Sequence, residues 1–411
     1  MMYDAYQAFA DLSDPIRELA SKAERVLASC DAGPCLEPWL FFQPWRRLAA
    51  FCELVTLSGF SHRRPEFDIP SIEIGARTEF VDEDLVLDGP FCSLTRFRKA
   101  GRGEGEPKVL LIAPMSGHFA TLLRGTIRTL LRDHEVYITD WRNARDIPLA
   151  AGAFGLDDFV QHVIDFIKFL GPRSHVVAVC QPAVAALAAV AVMAQDKDND
   201  QPASLTLMAG PIDTRISPTK VNELANGHPI EWFRDKLIEV VPSRLAGSGR
   251  RVYPGFLQLA AFVSMNADRH AGSFADLVRH RLAGNDAKAA AISAFYKEYF
   301  AIMDLSADFY LETVKSVFQD CDLPRGKMAF RDRTIAPAAI RNTFLLTVEG
   351  EKDDICAAGQ TLAAQDLCGG LRPYMKSHHM QPGVGHYGVF NGRRWESQIY
   401  PLLRHHIQSS L

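Results

Sequence analysis

A cysteine lies where the sequence changes from a strand-like to a helix-like pattern. Residues 175–180 read His-Val-Val-Ala-Val-Cys, and an alanine-rich run typical of a helix begins at Pro182. This pattern is typical of a nucleophile elbow, a sharp turn that pushes one side chain, here Cys180, into solvent. The small Ala178 suits such a turn, whereas Pro182 replaces the small residue expected there. The N–H of Gln181 and the positive helix end would favour a thiolate and an oxyanion. On this segment alone, a buried core cysteine is an equally good interpretation.

Two later segments supply an acid and a base. Adjacent carboxylates, Asp353 and Asp354, follow a strand-like run at residues 342–350, and His386 lies in a glycine-rich loop. A histidine can take the thiol proton and return it to a leaving group, while a carboxylate holds the imidazole tautomer. Separately, Asp353 could cap a helix and His386 could be an ordinary loop histidine. The chain order of nucleophile, acid and histidine is that of α/β-hydrolases, so we predict Cys180, Asp353 and His386 as a catalytic triad.

The loop after an earlier strand is expected to complete an oxyanion hole. A buried strand pattern at residues 108–113 runs into Pro-Met-Ser-Gly-His, and a helical pattern follows. In an α/β-hydrolase this loop supplies the second N–H, so we predict Met115 or Ser116 as the partner of Gln181. Ser116 precedes a long helix and does not lie on an elbow, which argues against its being the nucleophile.

Two further residues are candidates for lining the site. His118, in the same glycine-containing loop, either lines the site or caps the loop, and both interpretations stay open. Asp354 neighbours the predicted acid. We choose Asp353 as the acid because it matches the corresponding aspartate of a related Gly-x-x-Asp loop.

The alternation of strand and helix patterns from residue 108 predicts a mostly parallel sheet. We therefore predict an α/β-hydrolase fold with an inserted helical cap. The predicted units are an N-terminal helical segment that packs on the core (1–70), a hydrolase core (71–214 and 336–411) and the cap (215–335). An apolar cap can exclude water and hold substrate. Most aromatic residues of the cap are expected to form its own core, and a minority to line a substrate channel.

Local patterns predict individual elements of these units. Residues 156–171 form the clearest helix, with Asp157 as its predicted cap. Two antiparallel edge strands are expected between residues 71 and 98. Tyr3, Tyr6, Phe9 and Ala10 begin an apolar stripe, continued after Pro15, that either packs on the core or contacts a granule or a partner subunit. Proline 38 is expected to interrupt the helices that follow, and residues 100–107 to form a turn or linker.

Composition excludes several classes of protein. The 411 residues are 47% apolar with a net charge of −4, so nothing suggests a nucleic-acid partner. Eight cysteines without a Cys-x-x-Cys motif predict free thiols in a reducing compartment. The first 15 residues lack the pattern of a signal peptide, and the longest apolar run, at residues 182–194, is too short to span a membrane. The paired histidines at 378–379 and 405–406 match no metal signature.

Five segments together resemble the intracellular polyhydroxybutyrate depolymerases, a family related to the polyhydroxyalkanoate synthases. They are the opening residues 1–7, residues 138–146, Cys180-Gln-Pro, residues 348–355 and residues 383–392. The resemblance extends over nearly the whole chain. It departs from the Gly-x-Cys-x-Gly pattern usual in the synthases, because Ala178 and Pro182 take the glycine positions. This departure favours a depolymerase over a synthase.

The resemblance implies an enzyme that cleaves poly(3-hydroxybutyrate), or its oligomers, through a cysteine thioester at the surface of cytoplasmic storage granules. No cofactor is implied, except coenzyme A as an alternative acceptor that would give coenzyme A esters. The expected partners are the granule surface or soluble oligomers, and a homo-oligomer is an additional expectation. The alternatives are a synthase-like acyltransferase and a non-catalytic granule-coat protein with the same fold.

Overall fold

A nine-stranded sheet positions the predicted site residues. The computed structural model describes residues 2–30, 44–101, 105–265 and 267–411. The strands of these residues are β1 (Ser71–Ile74), β2 (Arg77–Asp88), β3 (Cys92–Lys99), β4 (Lys108–Ile112), β5 (Glu135–Trp141), β6 (His175–Val179), β7 (Ser204–Met208), β8 (Glu239–Val240), β9 (Arg251–Tyr253), β10 (Leu305–Ser306), β11 (Ala329–Phe330), β12 (Arg333–Thr334), β13 (Phe344–Gly350) and β14 (Lys376–Gln381).

The order of the large sheet is β1-β2-β3-β5-β4-β6-β7-β13-β14. Strands β1, β2 and β3 pair antiparallel up to β5, as expected for edge strands. From β5 to β14 each neighbouring pair is parallel. The fold is that of an α/β-hydrolase. Loops at the carboxyl ends of parallel strands meet at one edge of the sheet, which is where ligand sites form.

Thirteen α-helices lie among the described residues. They are α1 (Met2–Cys30), α2 (Pro44–Leu57), α3 (Arg124–Leu130), α4 (Leu156–Leu170), α5 (Pro182–Gln195), α6 (Lys220–Gly227), α7 (Ile230–Leu237), α8 (Gly255–Met265), α9 (Ala267–Leu282), α10 (Asp286–Tyr299), α11 (Ala307–Thr313), α12 (Ala364–Leu367) and α13 (Tyr400–Ser409). Shorter helical turns cover Ala120–Leu123, Ala144–Asp146, Leu149–Ala151, Val314–Gln319, Pro337–Ala339, Pro373–Met375, His386–Val389 and Trp395–Ile399.

Helix α5 lies in the centre of the core. All of its residues from Pro182 to Met193 are buried, which explains the uniformly apolar sequence after the predicted elbow. Helix α4 packs beside it and buries the predicted stripe that includes Val160 and Val163. The predicted cap of α4 is wrong. The side chain of Asp158 accepts from the N–H of Gly155 at 2.8 Å, whereas Asp157 accepts from the N–H of Arg331.

The chain leaves the large sheet after β7 and returns at β13. Between them lie α6 to α11, in the region predicted as the cap, together with a small sheet ordered β10-β9-β8 and the hairpin of β11 and β12. These strands contain only two or three residues each, so no alternating pattern could reveal them.

Helix α1 continues through Pro15 and divides its apolar residues between two faces. Tyr3 is fully buried and Ala10 is nearly so, and Tyr6 stacks on Phe256 with ring centroids 4.0 Å apart. By contrast, Phe9, Leu12, Ile16 and Leu19 are between 61% and 76% exposed. The stripe therefore packs on the core through one face and presents a second apolar face to solvent.

Two of the sequence predictions concern residues outside the described ranges. Pro38 lies between the described residues 30 and 44, and the expected turn at 100–107 includes residues 102–104, which are also outside. Within the described part of the chain, no helix has the length and apolarity needed to cross a membrane.

Candidate active site

The turn after β6 holds Cys180 in a left-handed backbone conformation, with a φ of 66°. Non-glycine residues seldom adopt this conformation, and it is typical of a nucleophile at a strand-to-helix elbow. The N–H of Cys180 donates to the carbonyl of Met208 at 2.8 Å, which ties the turn to β7. Pro182 occupies the first turn of α5, where its missing N–H has no cost. The cysteine is therefore partly exposed at the start of a buried helix.

The next strand passes very close to this turn at Gly210. A Cβ built on Gly210 would lie 2.1 Å from the Cβ of Ala183 and 3.1 Å from the carbonyl oxygen of Cys180. Glycine is therefore required here by a close approach of two backbones.

The loops after β13 and β14 bring an aspartate and a histidine together. Nδ1 of His386 lies 2.7 Å from Oδ2 of Asp353, and both side chains are buried. The other oxygen, Oδ1 of Asp353, accepts from the N–H groups of Ile355 at 2.9 Å and Cys356 at 2.8 Å. Asp353 thus also caps its own loop, so the two interpretations offered by the sequence describe its two oxygens.

The charge balance around His386 favours its protonated form. Burial alone would lower the pKa of His386, but the negative charges of Asp353 and Cys180, together with hydrogen bonds to both, raise it well above the usual value. The arrangement is therefore suited to an imidazolium next to a thiolate.

Asp354 and His118 are placed differently from these three residues. The side chain of Asp354 is exposed, whereas Asp353 is 7% exposed. His118 is buried against Tyr299 and Phe262, and burial lowers its pKa to about 4. A histidine with that pKa is neutral at pH 7.

The loop after β4 faces the same space as the cysteine. Met115 and Ser116 line one cavity together with Cys180 and Gln181. The loop is fixed from below, because the N–H of Ala113 donates to Oγ1 of Thr139 at 2.9 Å and its carbonyl accepts from the indole of Trp141. Within the described residues, no hydrogen-bond acceptor is found for the N–H of Met115 or of Gln181. These N–H groups are available to a ligand.

The cavity at Cys180 has a volume of about 330 Å³ and is enclosed largely by the predicted cap. Its apolar lining suits a substrate with hydrocarbon groups. The predicted cap aromatics that line it are Phe233, Tyr253, Phe262, Phe309 and Tyr310. Other aromatics of the region, including Phe256, Tyr296 and Tyr299, form a separate cluster with Tyr3.

Sequence reasoning missed Glu349 at the end of β13. This carboxylate is 1% exposed and accepts from the N–H groups of Gly359, Thr361 and Leu362 at 2.7 to 3.0 Å. Thr361 in turn bonds both backbone groups of Gly210. Glu349 therefore fixes the loop of Asp353 to the elbow. An acidic residue inside an otherwise apolar strand was the signal that could have revealed it.

A metal or a second cavity does not contribute to this arrangement. Among the described residues, no group of three or more His, Cys, Asp or Glu side chains is placed to hold a metal ion. A larger cavity of about 880 Å³ lies elsewhere and is lined by charged residues such as Arg64, Asp140 and Arg142. Cys180 is not among the residues that line it.

Residues 209–410 match the model of a family described as PHB de-polymerase C-terminus. The match includes Asp353 and His386 and begins after Cys180. It supports a PHB depolymerase-type family and an ester hydrolase. No curated protein matches the chain significantly.

Several solved structures resemble the chain. A carboxylesterase from Nitrososphaera gargenis is 12% identical with a TM-score of 0.44, covering 80% of this chain and 100% of its own. The 2-hydroxy-6-oxo-6-phenylhexa-2,4-dienoate hydrolase of Rhodococcus sp. strain RHA1 is 13% identical with a TM-score of 0.44, covering 80% and 100%. A thermophilic esterase from Thermogutta terrifontis is 13% identical with a TM-score of 0.40, covering 83% and 98%. At these values the similarities carry no functional argument.

Proposed function

We propose that the protein is an intracellular depolymerase that cleaves poly(3-hydroxybutyrate) and its oligomers through a thioester on Cys180. The observation that carries the proposal is the 2.7 Å contact between His386 and the buried Asp353, with His386 also interacting with Cys180 on its strained turn. The family match over residues 209–410 supports the substrate class.

In the proposed mechanism, His386 takes the proton of Cys180 while Asp353 orients the ring and stabilises its charge. The thiolate attacks an ester carbonyl, and the N–H groups of Gln181 and of Met115 or Ser116 stabilise the oxyanion. The carbon–oxygen ester bond breaks, His386 protonates the departing hydroxyl, and a hydroxyacyl thioester remains on Cys180. Water, or the thiol of coenzyme A, then attacks the thioester with His386 as base, and the acid or the coenzyme A ester leaves.

The exposed face of α1 supports contact with the surface of a polyester granule. Phe9, Leu12, Ile16 and Leu19 are all more than half exposed and lie on one side of the helix. Replacing all four with serine should weaken binding to amorphous granules in a sedimentation assay, because apolar contact area is lost. Hydrolysis of soluble oligomers should persist, because these side chains are far from the core face. Equal binding by the variant and wild type would contradict this role.

The decisive experiment incubates wild type and Cys180→Ala with amorphous poly(3-hydroxybutyrate) granules, with and without coenzyme A. Mass spectrometry identifies the products. Free acids from wild type alone support a cysteine-dependent hydrolase, and coenzyme A esters support thiolytic cleavage. Undiminished cleavage by Cys180→Ala overturns the mechanism. Inertness of both proteins overturns the proposed activity and favours a synthase-like acyltransferase or a granule-coat protein.

A further inference from the structure

The side chain of Gln181 is buried without hydrogen-bond partners. Gln181 is 8% exposed, and both Oε1 and Nε2 of its amide lack a partner within the described residues. It is the one amide side chain of that part of the chain with both polar ends unpaired. Buried polar groups are nearly always paired, so this amide is expected to meet a group of a bound molecule.

The position of this amide connects it with the chemistry at Cys180. Gln181 directly follows the cysteine and lines the same cavity of about 330 Å³. Two other unpaired buried atoms also belong to residues that line this cavity, Oε1 of Gln258 and Oγ1 of Thr313. The cavity is otherwise largely apolar, so its few polar atoms select where a polar group of the ligand can lie.

The chemistry of a carboxamide restricts what that group can be. An amide offers an acceptor oxygen and a donor nitrogen side by side, and a hydroxyl can both donate and accept. An ester oxygen or carbonyl can only accept and would leave Oε1 of Gln181 unpaired. A free hydroxyl close to the acyl carbonyl is therefore the best complement.

We propose that the side-chain amide of Gln181 hydrogen-bonds the hydroxyl on C3 of the acyl group held by Cys180, and so selects 3-hydroxyacyl groups over plain acyl groups. This inference rests on the proposed function, because it requires an acyl group on Cys180. A plain acyl group leaves both ends of the amide unpaired in the closed cavity, and sites of this kind discriminate strongly against the analogue that lacks the polar group.

The test compares kcat/KM for p-nitrophenyl (R)-3-hydroxybutyrate and p-nitrophenyl butyrate. Wild type should prefer the hydroxy ester, and Gln181→Leu should reduce the ratio of the two values about 10- to 100-fold. With wild type, p-nitrophenyl 3-acetoxybutyrate, whose C3 oxygen cannot donate, should rank with butyrate. If circular dichroism shows that Gln181→Leu does not fold, Gln181→Met keeps the side-chain length and allows the same comparison.

Gln408→Leu, at an exposed glutamine of α13, is the matched control and should keep the wild-type ratio. Cys180→Ala separates the two levels of the argument. If Cys180→Ala is inactive but Gln181→Leu and Gln181→Met keep the wild-type ratio, the role of Gln181 is overturned while the proposed function stands. Full activity of Cys180→Ala overturns both.

Discussion

The two oxygens of Asp353 have different partners. One accepts two N–H groups of its own loop and the other receives Nδ1 of His386. The loop contacts fix the direction of the carboxylate, so the histidine ring is held in one orientation. Asp354, its exposed neighbour, has the same chemistry but a different environment.

This difference predicts unequal effects of two conservative replacements. Asp353→Asn should reduce kcat/KM for a soluble hydroxybutyrate ester roughly 10³- to 10⁴-fold, because the neutral amide no longer stabilises the imidazolium. Asp354→Asn serves as the matched control and should cost far less. The opposite ranking in steady-state kinetics would assign the acid to Asp354.

At this scale the sequence indicates which residue types are present and in what order, but it contains no distances. Cys180, Asp353 and His386 were selected by chain order and flanking patterns, and the structure places them at neighbouring strand ends. Their catalytic roles remain predictions. The sequence offered no reason to notice that both ends of the Gln181 amide are unpaired, because pairing depends on neighbours distant in sequence.

At the scale of elements, the elbow depends on the fit between α5 and the segment after β7. Gly210 approaches Ala183 so closely that there is no room for a side chain. Since the carbonyl of Met208 also accepts from the N–H of Cys180, a shift of this segment is expected to move the cysteine.

We therefore predict that Gly210→Ala lowers both the melting temperature and the ester hydrolysis rate, because the new Cβ overlaps that of Ala183. Steric overpacking typically costs about 1–3 kcal/mol of unfolding free energy. The double variant Gly210→Ala with Ala183→Gly should recover part of this loss, as measured by thermal unfolding and kcat/KM. Purely additive losses in the double variant would show that this contact is not the cause.

Element boundaries were predictable where packing follows the local pattern. Helix α4 extends from Leu156 to Leu170 as its apolar periodicity indicates. Its cap was assigned to Asp157 incorrectly, because two adjacent aspartates are equivalent in sequence and only the backbone geometry selects Asp158. The exposed face of α1 was equally unpredictable, since Phe9 and Ala10 are both apolar and only tertiary contacts separate them.

At the scale of the whole molecule, several histidines are buried in neutral form. Burial lowers the pKa of His62 to about 3 and those of His118, His134, His175 and His406 to about 4. These values lie below the ordinary value of 6.5, so the unfolded chain binds more protons than the folded chain between about pH 4 and 6.5. His386 acts in the opposite direction, because its pKa is raised.

The unfolding free energy should therefore decrease as the pH falls from 6.5 to 4. Each of the five histidines contributes up to about 1.4 kcal/mol per pH unit. Urea unfolding at a series of pH values measures the slope, and His406→Gln should make it shallower. His405→Gln, at the exposed neighbouring position, is the control and should keep the wild-type slope. Stability that is constant over this range would contradict the neutral burial of these side chains.

The insertion between β7 and β13 also determines the order in which the molecule can be completed. Strands β7 and β13 are neighbours in the sheet, yet the whole predicted cap separates them in sequence. On a ribosome, β7 emerges long before β13 and leaves an unpaired apolar edge in the middle of the future sheet. Until the last strands are synthesised, this edge is a template for aggregation, and Cys180 has neither its acid nor its base. A nascent chain is thus chemically silent during the period when it is most prone to associate with other chains.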